Sequence, residues 1–118
     1  MKYALVIKMP VGIAGESSEA DEVAIHQECD VLTRDVREAG RYHGSMRLEP
    51  SGAVASVRIE GHHPVVIDGP FAETKEFLAG IYVVDCQSLE QAVAYAQRHP
   101  GAKRGRIEVV PLISLDPA

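Results

Sequence analysis

Among the five histidines of this chain, His26 is the one whose position suits acid–base chemistry. It follows Ile25, so it falls at the edge of an apolar stripe near the start of a long helical segment. An imidazole there can face a pocket while the stripe is buried, and histidine is the usual group for proton transfer near neutral pH. The competing reading is local, because Glu22 and Asp30 each lie four residues away on the same helix face and can hydrogen-bond it. Asp68 is the second candidate. Its carboxylate before Gly69-Pro70 can accept backbone N–H groups and fix a turn. Yet the run Asp68-Gly69-Pro70-Phe71-Ala72-Glu73-Thr74-Lys75-Glu76 crowds more polar groups together than a turn needs, around one apolar ring. A loop that shapes a cleft explains that excess.

The remaining histidines have simpler explanations. His62 and His63 are neighbours at a hairpin tip and are expected in water; His99 closes a helix whose dipole favours a positive group. The direction of His43, at the start of a strand, is not readable. No spacing of His, Cys, Asp and Glu matches a structural zinc site, and no HExxH helix is present, so no metal is expected. The two cysteines, Cys29 and Cys86, have no CxxC spacing and read as buried thiols. A formal charge of −5 argues against nucleic acid as a partner. The cluster Lys103-Arg104-Gly105-Arg106 reads as a solvated loop. There is no apolar run of membrane-spanning length and no signal-peptide pattern, which predicts a cytoplasmic protein without membrane contact.

Periodicity supplies the elements that must carry these residues. With 118 residues and 46% hydrophobic composition, one domain with a real core is expected over 1–118. Tyr3 to Lys8 alternates as a strand, and Pro10, Gly12 and Gly15 break it. Ser17 or Ser18 can cap a helix from Glu19 to Ala39, with acids in its first turn and Gly40 after its end. Its stripe is Ile25, Cys29, Leu32, Val36 and Ala39. Strands follow at Tyr42 to Leu48 and Val54 to Glu60, the second turning through Gly61-His62-His63-Pro64 into Val65-Val66-Ile67 as a hairpin. Phe77 to Val84 is apolar enough for a central strand buried on both faces. Ser88 and Gln91 form a capping box before a second helix that ends at Arg98-His99, and Arg106 to Ile113 is the last strand, with Pro111 indicating a sheet edge.

With the hairpin set aside as an added arm, the order is a split β-α-β pattern, that is, an α+β ferredoxin-like sheet with two helices on one face. Two helices cover only one face. The first and central strands are apolar on both, so a second copy of the chain is expected to cover the other, making a homodimeric α/β barrel.

The run from Asp68 to Glu76, followed by Gly80-Ile81-Tyr82, resembles the signature of the DGPF proteins, a branch of the YCII-related superfamily. The likeness extends to the Met-Lys-Tyr opening, the helix bearing His26, Arg37-Glu38-Ala39-Gly40, and Gly105-Arg106-Ile107-Glu108-Val109. It implies a ferredoxin-like fold that dimerises through its sheets, and a pocket where a helical histidine acts with an aspartate; His26 and Asp68 match those places. The superfamily includes an enzyme that removes chloride from a hydroxylated aromatic ring, and members of the branch are often encoded beside extracytoplasmic-function sigma factors. The loop Pro10 to Ser18 departs from the usual pattern of acidic or aromatic residues, so a pocket bordered by this loop is expected to take a different ligand.

Two functions follow from the resemblance. In one, the protein is a cofactor-free enzyme acting on a small polar or aromatic molecule by elimination or isomerisation. His26 moves the proton, Asp68 orients it, Lys75 or Arg47 holds an anionic group, and Phe71 and Thr74 complete the substrate contacts. The lack of a glycine-rich phosphate loop or flavin fingerprint agrees with cofactor-free chemistry. In the other, the same loop recognises a ligand or protein partner in a non-catalytic regulatory module, linked to sigma-factor signalling.

Overall fold

The computed structural model describes residues 1–13, 18–50, 52–72 and 75–114. Thr74 and Glu73 of the polar loop, Ser17, and residues 14–17 of the loop after the first strand therefore lie outside the described residues. The elements are β1 (Lys2–Pro10), α1 (Glu19–Glu38), β2 (Tyr42–Arg47), β3 (Ala55–Glu60), β4 (His63–Asp68), β5 (Glu76–Asp85), α2 (Leu89–Arg98), α3 (Gly101–Arg104) and β6 (Arg106–Pro111).

Four strands form one antiparallel sheet in the order β2-β5-β1-β6, and β3 pairs, among the described residues, only with β4. That order, with α1 and α2 as the connections, is the ferredoxin-like α+β arrangement, and the β3–β4 hairpin is the added arm. The central place of β5 and β1 follows from their apolar runs, since interior strands need a partner on each side. β6 with Pro111 is an edge, as its proline requires.

Alternation along β1 sends Tyr3, Leu5 and Ile7 under the helices, where Tyr82 and Val84 of β5 and Leu32 and Val36 of α1 close the core. Ser18 caps α1: its side chain accepts the Asp21 N–H, and the Asp21 carboxylate accepts the Ser18 N–H. Gly40, at φ +71, ends it. At α2 only half of the expected capping box forms. Ser88 accepts from Gln91 N, but the Gln91 side chain accepts from Gln87 N instead.

Three details differ from the sequence reading. Lys103 and Arg104 lie in α3, a single helical turn rather than a loop, and each meets an α1 carboxylate: Lys103 with Glu28 at 3.0 Å and Arg104 with Glu22 at 3.3 Å. β6 stops at Pro111, two residues before Ile113, with a last backbone bond from Leu112 N–H to the Lys2 carbonyl at 2.9 Å. The β5 run is buried only toward the helices; on the other side Ile81 and Val83 are half-buried in the single chain. That open side also carries Ala4, Val6, Met46 and Val110 by register.

The arm packs mainly on itself. Val57 lies opposite Val66 and Ile59 opposite Pro64, so one face of the hairpin is apolar, and these valines are 63% and 64% exposed. The radius of gyration is 16.2 Å, against about 13.5 Å for a compact chain of this length. No helix among the described residues is long and apolar enough to cross a membrane.

Candidate functional site

A cavity of about 250 Å³ lies between the first half of α1 and the sheet, roofed by α1 and floored by β1, β5 and β2. Its origin is local. β2 carries an irregularity between Tyr42 and Gly44, after which Ser45 and Arg47 pair with Tyr82 and Gly80 on the helix side. Gly80 contributes no side chain at the centre of that row, and the sheet closes tightly around it, with the Met46 carbonyl oxygen 2.7 Å from where a Cβ would stand. The missing side chain beneath α1 leaves the space that the cavity occupies.

His26 and Arg47 meet at this cavity, which both line. The Arg47 guanidinium lies 3.2 Å from His26 Nε2. A guanidinium only donates, so Nε2 accepts, which puts the proton of the neutral ring on Nδ1. Glu22, one turn earlier on α1, lies 3.8 Å from Arg47 and 3.3 Å from Arg104 and ties both to the helix. His26 thus has a partner from another element, rather than only the helix neighbours Glu22 and Asp30. Arg47 keeps 69% of its side chain in solvent, so it can turn toward an anionic ligand.

Deeper along α1 the site is polar but uncharged. The Tyr82 hydroxyl lies 2.8 Å from the Thr33 hydroxyl, and Tyr82 is 1% exposed. His99 Nδ1 accepts the Gly101 N–H at 3.0 Å, and its Nε2 stands 4.0 Å from the Cys29 sulfur. Its ring packs edge-on to Tyr82, with centroids 5.6 Å apart. Burial sets the charge states. It pushes the His99 imidazole below its usual value and the Cys29 thiol and Tyr82 phenol above theirs, partly opposed for both by the Thr33 hydroxyl. At neutral pH all three are uncharged.

The other expected site residues stand elsewhere. Asp68 ends β4 on the arm, is exposed, and is not among the residues lining the cavity. Phe71, 42% exposed, lies under the Arg58 guanidinium at 4.6 Å, so it packs on the arm. The Lys75 carbonyl accepts the Val11 N–H, and its side chain is exposed. In the single chain, then, His26 and Arg47 come together, and Asp68, Phe71 and Lys75 all lie outside the cavity lining. Thr74 lies outside the described residues.

Sequence reasoning passed over His99, Cys29, Tyr82 and Glu22. His99 was assigned to the helix dipole, yet burial makes it a poor cation. Its contact with Cys29 spans 70 residues, and no local spacing announces such a pair. The one signal available was Cys29 in a stripe otherwise made of aliphatic residues. No group of three or more His, Cys, Asp or Glu gathers as a metal site among the described residues.

An uncharacterised protein of Rhizobium meliloti (strain 1021) is 34% identical over 119 residues, covering 99% of this chain and 96% of that relative. Residues 1–116 match the YCII-related domain. The chain belongs to the YCII-related family.

Proposed function

We propose that this protein binds a small anionic molecule in the cavity between α1 and the sheet, and that His26 exchanges a proton with it. The observation that carries this reading is the Arg47–His26 contact at the cavity, in which the only lone pair of the neutral imidazole is engaged by a solvent-exposed cation. A ligand carboxylate that draws Arg47 away frees Nε2 as an acceptor beside the bound molecule. Binding and base activation are then one event, which suits elimination or isomerisation and involves no cofactor. A non-catalytic ligand-sensing module, as in the sigma-factor-linked alternative, would use the same cavity and the same Arg47 without the proton step.

The reading includes a homodimer. The open face around Val6, Ile81 and Val83, together with the exposed apolar face of the arm, supports a second copy of the chain as the missing cover. Asp68 remains the proposed orienting carboxylate only in that assembly, where the arm of one copy reaches the His26 of the other. Light scattering on wild type and on Val6→Asp tests the cover: dimer for the first and monomer for the second is expected, and a monomeric wild type refutes it.

A thermal-shift screen of small aromatic and carboxylic acids tests the site. Compounds that stabilise wild type are expected to lose most of that effect in Arg47→Ala, because binding to the native state raises stability by mass action. In His26→Ala they are expected to bind but not to turn over. Hits that protect Arg47→Ala as well as wild type defeat the proposal. The same screen on Asp68→Ala decides whether the arm carboxylate takes part.

A further inference from the structure

The deep end of the cavity holds a hydrogen-bond donor whose direction is set by backbone geometry. The Gly101 N–H can only donate, so His99 Nδ1 must accept it at 3.0 Å. The ring is therefore neutral with its remaining proton on Nε2. Gly101 is buried, and a Cβ there would stand 2.8 Å from Ile7 Cγ2 and 3.0 Å from His99 Nδ1, so only glycine lets the backbone approach the ring this closely. The partner of Nε2–H among the described residues is the Cys29 sulfur at 4.0 Å, the outer limit of a sulfur hydrogen bond. A strong donor with only a distant, soft acceptor is poised for a better one. His99, Cys29 and Tyr82 all line the same cavity as Arg47 and His26.

We propose that His99 Nε2–H is the specificity contact of this cavity and receives a carbonyl oxygen, so that the ligand is a small oxo-carboxylic acid with an apolar middle. This rests on the cavity being the ligand site, and adds the class of ligand. The two ends are ordered along α1. His26, beside Arg47, precedes Cys29 by three residues, which is about 4.5 Å of helix rise, and His99 stands across from Cys29. The lining also includes the apolar side chains of Ile7 and Ile25. A carboxylate suits the exposed Arg47 guanidinium at one end. At the other, a charged group would meet a neutral thiol, phenol and imidazole and lose its hydration, whereas a ketone, which only accepts, matches an N–H. The volume of about 250 Å³ is below the usual range for drug-sized ligands, so a chain of few carbons fits.

The test compares each of 4-oxopentanoate, 5-oxohexanoate and 6-oxoheptanoate with the acid in which a methyl branch replaces the carbonyl oxygen, titrated by NMR into the full chain. An apolar cavity without the donor prefers the branched acid. With it, at least one oxo acid binds tighter than its branched counterpart, roughly 2- to 12-fold from one net hydrogen bond. His99→Phe abolishes that preference, while Arg47→Met weakens both acids alike. If His99→Phe does not fold, the wild-type imidazole resonances decide: a saturating oxo acid moves the His99 Nε2–H signal and the branched acid leaves it. Branched acids winning at every length, or a preference that survives His99→Phe, overturns this inference and leaves the cavity as a site. If no acid of either kind perturbs cavity residues in wild type, the site itself falls, and the inference with it.

Discussion

Replacing Gly80 by alanine separates the structural account from its general alternative by sign. In an exposed or loosely packed strand, Gly→Ala stabilises by about 0.4–1 kcal/mol, because the unfolded chain loses conformational freedom. Gly80 sits between β2 and β1, and its new Cβ would stand 2.7 Å from the Met46 carbonyl oxygen and 3.6 Å from Ile7 Cδ1. Carbon and oxygen that touch without strain lie about 3.3 Å apart or more, so β2 must retreat by roughly 0.6 Å. The obstructing atom is backbone, so a side-chain rotation gives no relief. Overpacking of this kind costs about 1–3 kcal/mol, which outweighs the entropic gain. For a chain of this size that is a Tm lowered by roughly 4–12 °C. Urea unfolding followed by far-UV circular dichroism, at one protein concentration for both proteins, measures it. The midpoint is expected to fall with an unchanged slope. Because β2 carries Arg47, the His26 imidazole signals should also shift. A variant as stable as wild type, or more so, refutes the close approach and the origin given for the cavity.

Two further outcomes concern the cap of α1 and the buried imidazole. Ser18→Ala removes the side-chain acceptor for Asp21 N–H at the start of α1 and should cost about 1 kcal/mol in the same unfolding assay, while Ser18→Asp restores most of it. His99 gives a pH signature: burial holds its folded value below the ordinary 6.5, so the unfolded chain takes up a proton that the native state resists. Stability therefore falls as pH drops below about 6.5 and continues falling until pH passes the folded value. The carboxylates held down by partners, such as Asp35 beside Arg98 and Asp85 beside the N-terminus, contribute only at lower pH, near or below 4. Melting curves from pH 8 to 5 should be flatter for His99→Gln than for wild type, and parallel curves contradict a buried neutral imidazole.

How much of this was legible beforehand depends on the range of the interaction. Strand alternation in Tyr3 to Ile7, the stripe from Ile25 to Val36, the cap at Ser18 and the stop at Gly40 all follow from backbone periodicity and hydrogen bonds spanning a few residues. The order of elements then restricts topology to the split β-α-β sheet, because few connections bury both helices on one face. His26 was recognisable from its place beside the stripe, and Arg47 as a cation able to hold an anion. That the two meet was not, since it depends on an irregularity in β2 that chooses which face Arg47 occupies. A one-residue change of register sends every later side chain to the opposite side of a sheet. The neutral end of the cavity was hidden for a related reason: His99 looks like a helix-end cation in the sequence, and only burial beside α1, β5 and α3 makes it a neutral donor. Local order in this chain was thus determined by the sequence through short-range forces. The pairing of His26 with Arg47, the separation of Asp68 on its arm and the charge state of His99 were decided by tertiary contacts, where desolvation and strand register act on residues distant in the chain.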